Sequence, residues 1–95
     1  AAKAWVSFDG TNCPGGYCVI NASYNVSGVY KAATGHYLVY LPGTFTPWAA
    51  SGSCSGNGAS MNAYDRSPTY LRVQCIIGNV AYQDSYVINI AVHGL

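Results

Sequence analysis

The sequence predicts an all-β domain, a small antiparallel β-sandwich or half-open barrel of six to seven strands. Three observations carry that expectation. Apolar and polar residues alternate with a period of two in several short runs, Gly, Ser, Asn and Pro punctuate them at regular spacing, and no window shows a helical period. The 95 residues make one domain, read here as a single module over 1–95, and a chain of this size has a thin core.

The first strand lies in "KAWVSFDG", residues 3 to 10, with Ala4, Val6 and Phe8 on one side and Lys3, Trp5, Ser7 and Asp9 on the other. One side is a core, and the other carries a tryptophan on a face that otherwise reads as wet. "CPGGY" then forces a tight turn. From Cys18 to Tyr30 the residues Ile20, Ala22, Tyr24 and Val26 alternate with Asn21, Ser23, Asn25 and Ser27, which reads as the cleanest strand of the chain. "KAATG" supplies a turn, and "HYLVYLP" reads as the returning strand, stopped by Pro42. In "GTFTPWAASGSCSGNGAS" a strand leads through Trp48 into the "GNG" turn. "MNAYDRSPTYLRVQCIIG" reads as two short strands around Ser67 and Pro68, and "SYVINIAVHGL" as a last one.

Composition limits the function classes. Hydrophobic residues make up 51% of the chain and charged residues 7%, well below the roughly 25% of an average soluble domain. Few charges on alternating strands leave sheet edges and faces undefended, so self-association is expected. Nine tyrosines favour the same reading, because a phenol joins apolar area to a polar tip. The net charge of +1 comes from scattered Lys3, Lys31, Arg66 and Arg72, which build no phosphate-tracking surface, so no nucleic-acid partner is expected. No apolar run approaches the ~20 residues of a membrane span, and no secretory leader is visible, so the chain as it stands is mature or a fragment.

The four cysteines allow three pairings. The turn between Cys13 and Cys18 favours their local pairing, which leaves Cys54 with Cys75. A tetrathiolate zinc site fits poorly with the long interval between Cys54 and Cys75, and free thiols in a reducing cytosol are the remaining alternative. Oxidised pairs imply an extracellular working compartment.

No catalytic constellation is expected, and no cofactor or metal. There is no glutamate. Asp9, Asp65 and Asp84 stand apart in turn-like sequence and read as turn residues, not a paired-carboxylate site. His36 and His93 lie at strand ends without a third ligand, and no G-x-S-x-G elbow occurs. Asn21 and Asn25 each fit the Asn-x-Ser rule, but their placement on one strand face argues for a polar ladder more than for glycans. "CPGGYC" reads as a stapled turn ahead of a ligand loop. Trp5 and Trp48 have the shape to stack on sugar rings, and filling an inter-sheet or inter-subunit gap is the competing role.

Four phrases in order, "KAWVSFDG", "INASYNVSGVYKAATGHYLVYLP", "WAASGSCSG" and "YVINIAVHGL", resemble a β module found repeatedly in bacteriophage tail-fibre and other virion proteins. That module opens on A-K-A-W-V-x-F-x-G-T, continues through an N-V-S strand and a strand ending near proline, and closes on a V-N-V-A-V type strand. The match spans nearly the whole chain. It departs in the cysteines, in Ala22 where a basic residue is common and in His93 where an aromatic is usual. The resemblance implies a non-enzymatic structural or adsorption module of a phage particle, often trimeric, either a complete small gene product or the terminal piece of a fibre. Trp5 belongs to the opening phrase, which suggests a covering partner on its face, a second sheet or a neighbouring subunit.

Two functions therefore compete. One is a virion structural protein of tail-fibre, spike or capsid-decoration type, with itself (as a homotrimer) and other virion proteins as partners. The other is a receptor module binding host-surface glycans at a fibre tip. A third, outside any virus, is a secreted disulfide-stapled lectin or inhibitor. Candidate contact residues for assembly or glycan are Trp5, Tyr24, Tyr40, Trp48, Tyr64 and Tyr70.

Overall fold

The computed structural model describes residues 3–44, 46–55, 59–77, 81–82 and 84–94, with the side chains of Trp48, Ala59, Ile77 and Ala81 outside the described set. Among these residues the chain is almost entirely β, apart from one short turn of 3-10 helix at Pro14–Gly16. The strands are β1 (Ala4–Asp9), β2 (Val19–Tyr24), β3 (Gly28–Ala33), β4 (His36–Tyr40), β5 (Pro47–Cys54), β6 (Ala59–Ser67), β7 (Tyr70–Ile77), β8 (Ala81–Tyr82) and β9 (Ile88–Gly94).

They form two four-stranded antiparallel sheets packed as a small sandwich. The first runs β2-β1-β9-β5 and the second β3-β4-β7-β6, and the two-residue β8 adds to β7 beyond the end of β4. Eight principal strands therefore replace the expected six to seven. The run from Cys18 to Tyr30 accounts for much of the difference. It breaks at Asn25, whose φ is +55°, so that β2 stays in the first sheet and β3 enters the second. The reversal costs an ordinary side chain strain, but asparagine tolerates the left-handed region. The polar ladder expected of Asn21 and Asn25 is consequently absent: Asn21 is the extra residue where the β1–β2 register shifts, and Asn25 lies outside the strand with its Nδ2 donating to the Lys3 carbonyl at 3.0 Å.

The alternation of β1 holds. Ala4, Val6 and Phe8 are buried and join Ile88, Ile90 and Val92 of β9 on the inner face of the first sheet. Val29, Tyr37, Val39, Leu71 and Val73 answer from the second sheet, and the rings of Phe8 and Tyr37 meet edge to face at 5.3 Å between centroids. The second sheet covers the inner face of β1, so it is not what covers Trp5.

The cysteines pair as Cys13–Cys18 and Cys54–Cys75. The first staples the turn before β2. The second joins β5 of one sheet to β7 of the other, with Cys54 6% and Cys75 0% exposed, so it crosses the core. The two long edges of the sandwich differ. β5 and β6 lie against each other along one seam, whereas β2 and β3 barely touch, and they are stitched near the top by the Cys18 N–H donating to the Val29 carbonyl.

Candidate functional site

Trp48 apart, the residues singled out in the sequence fall on two opposite outer faces. On the first sheet, Trp5 stands opposite Tyr24 in the β1–β2 register, and the two are 42% and 54% exposed. Beside them lies a shallow, open hollow of about 360 Å³ lined by Trp5, Ser7, Ser51, Gly52, Asn89 and Ala91. It exists because the side chains between Trp5 and the β5 edge are small. Gly52 has no room for a Cβ, which would sit 2.1 Å from the Asn89 carbonyl oxygen.

On the second sheet, Tyr40 and Tyr70 are opposite each other in the β4–β7 register, on the face away from buried Val39 and Leu71. Tyr64 is the extra residue of the β6 bulge opposite Arg72. That bulge puts Asp65 within reach of Arg72 Nε at 3.2 Å, while the Tyr70 hydroxyl donates to Asp65 at 3.3 Å and the Arg72 guanidinium lies over the Tyr70 ring. An exposed ion pair of this kind contributes little stability but fixes the side chains of that face. Asp65 is thus a strand residue and not the turn residue its neighbours suggested. Trp48 lies in β5, and its side chain is outside the described residues.

Several surface groups escaped the sequence reading. His36 opens β4 and packs against the rings of Tyr82, at 4.2 Å, and Tyr64, at 6.0 Å. Tyr17 and Val19, 58% and 42% exposed, flank buried Cys18. Their exposure was legible in principle, since neighbours of an inward cysteine on an extended chain must face out.

Asp9 and Asp84 are both structural. At the end of β1, Asp9 accepts from the Thr11 hydroxyl at 2.6 Å and the Thr11 N–H at 2.9 Å, which hold its carboxyl below the ordinary range. Asp84 does more than shape a turn. Its Oδ2 pairs with Lys31 Nζ at 2.5 Å, and its Oδ1 accepts from the Gly35 N–H at 2.8 Å and lies 2.9 Å from the Tyr37 hydroxyl. Burial pushes this carboxyl up, but the bonds from Lys31, Gly35 and Tyr37 outweigh it and hold the carboxyl below its usual range. The carboxylate fastens three segments together.

No group of three His, Cys, Asp or Glu side chains gathers in a metal-binding arrangement among the described residues, and no described helix is long and apolar enough to cross a membrane. Among the described residues Trp5 and Tyr24 on the first sheet and Tyr64 and Tyr82 on the second present exposed aromatic area. No protein-family model, curated protein or solved structure matches this chain.

Proposed function

We propose that the chain is a non-enzymatic structural module of a bacteriophage particle, of tail-fibre, spike or capsid-decoration type, that acts through its sheet faces and edges in contact with copies of itself and with other virion proteins. The observation that carries this reading is where the aromatic area lies. Trp5 and Tyr24 on one face and Tyr64 and Tyr82 on the other are about half exposed, on sheets that carry few charges. The four virion-type phrases in the sequence and the two disulfides, suited to a particle released into an oxidising medium, point the same way. A homotrimer is the assembly that the resemblance implies. The test is whether antibodies raised to the folded domain label intact purified particles; absence of the chain from those particles overturns the proposal.

One observation favours a second reading, a receptor module for host-surface glycans. The hollow beside Trp5 combines an exposed indole with Ser7, Ser51 and Asn89, a set able to stack on a sugar ring and bond its hydroxyls. Glycan-array binding that disappears in Trp5→Ala is its signature.

A further inference from the structure

We infer that the free edge of β2 is the docking surface for a second copy of this chain, which pairs with it through its own β2, antiparallel, so that the two first sheets continue into one. The inference rests on the self-assembly reading above and narrows it to one edge.

β2 is a terminal strand of its sheet, paired along one side only, to β1, among the described residues. Its unpaired side presents main-chain donors and acceptors, a template for another strand. The other three terminal strands carry defences that β2 lacks. β6 has Asp65 and Arg66, β3 has Lys31, and β5 begins with Pro47 and lies against β6. β2, "VINASY", has neither charge nor proline; like β6 it carries one bulge, at Asn21.

The second observation is the distribution of exposed apolar side chains. Among the described residues Trp5, Tyr17, Val19 and Tyr24 gather on or beside this strand, each 42–58% exposed. At half exposure an aromatic side chain offers about 100 Å², so with Val19 the cluster presents roughly 350–400 Å². That is about half of the ~800 Å² a partner contributes to a stable interface. The strand's main chain and its remaining side chains supply further area.

The strand is also complementary to itself. Antiparallel pairing centred between Asn21 and Ala22 sets Val19 opposite the second copy's Tyr24, and Tyr24 opposite its Val19. Both residues lie on the outer face, since Val19 pairs with Asp9 and Tyr24 with Trp5. Such a contact is isologous and yields even-numbered assemblies, two copies by itself and six where trimers are joined by it.

The experiment is sedimentation velocity on the intact domain over a range of concentrations. Three proteins are compared: wild type, the double variant Val19→Lys/Tyr24→Lys, and a control, Tyr86→Lys, in the segment before β9. All three positions are exposed, and circular dichroism checks that each variant folds. The expected result is an even-numbered assembly in wild type and control and a monomer in the β2 variant. Amides of β2 are also expected to exchange more slowly in concentrated than in dilute wild type. An assembly that survives the β2 substitutions, or that the control abolishes instead, overturns the β2 edge while leaving self-assembly standing. A wild type monomeric throughout overturns both, and the particle-labelling experiment then stands as the independent check on the virion reading. Loss of glycan-array binding in the β2 variant with no change in assembly overturns this inference in favour of a carbohydrate ligand.

Discussion

The hydroxyl of Tyr37 on β4 lies 2.9 Å from the carbonyl oxygen of Gly10, just past the end of β1, and so bonds one sheet of the sandwich to the other through the core. The same oxygen lies 2.9 Å from Asp84 Oδ1, and its single proton serves both acceptors. Gly10 in turn donates its N–H to the Ser85 carbonyl at 2.8 Å. One buried phenol thereby ties β1, β4 and the segment before β9.

Removing this phenol is expected to take one donor from the Gly10 carbonyl and one from Asp84 Oδ1, which keeps only the Gly35 N–H. Tyr37→Phe should therefore cost about 1–3 kcal/mol in unfolding free energy, read from urea denaturation. Gly10→Ala should cost at least as much, since its Cβ would sit 2.4 Å from the Tyr37 oxygen and 2.7 Å from the Ser85 carbonyl oxygen. An unchanged midpoint in either variant would refute the role given to this junction.

Stability is expected to fall at both ends of the pH scale, for opposite reasons. The Asp84 carboxyl is held below its ordinary value by bonds made only in the folded state. Its contribution is present above the unfolded value near 3.9 and is lost as pH falls through the lower folded value. Tyr37 behaves inversely: burial and the neighbouring Asp84 raise its phenol above the ordinary value near 10. Its contribution is present below pH of about 10 and declines as pH rises beyond it, when the unfolded chain releases a proton that the folded one keeps. Melting temperature against pH should show an acid limb flattened by Asp84→Asn and an alkaline limb flattened by Tyr37→Phe.

The disulfides should open in sequence. Cys13 is only partly buried in a surface turn, whereas Cys75 is fully buried. Mild reductant is expected to open Cys13–Cys18 in the folded protein, and Cys54–Cys75 only once the sandwich unfolds. In the chain-entropy account the two closures stabilise by about 2 and about 3.4 kcal/mol. Alkylation followed by peptide mass analysis gives the order, and simultaneous loss of both bonds would contradict it.

Trp5 and Phe8 sit three residues apart on opposite faces of β1, 42% and 0% exposed. Phe8→Ala should cost about 3–5 kcal/mol, enough to unfold a small domain. Trp5→Ala should cost about 1–2 kcal/mol in an isolated copy, because little more than half of its side chain leaves water on folding. Denaturation in dilute solution compares the two, and equal losses would mean that Trp5 is more deeply packed than its exposure indicates.

The sequence by itself determined which side of β1 and of β4 meets the core, because burial there follows a period of two that is written locally. Ala4, Val6 and Phe8 declare it in β1, and Tyr37 and Val39 follow it in β4. The tight "CPGGYC" turn likewise favoured the observed cysteine pairing. Only the tertiary structure decided which strands became neighbours. The alternation from Cys18 to Tyr30 runs on through Asn25, yet the strand bulges at Asn21, so that Ile20 faces the core while Ala22 and Tyr24 face out, and the chain changes sheet at Asn25. Asp84 looked like a turn residue because its partners, Lys31 and Tyr37, are 53 and 47 positions away. The position of Trp5 was set the same way. A period of two places it opposite the core, but whether a second sheet covers it depends on which face the distant strands β3, β4, β6 and β7 pack against, and they pack against the other one.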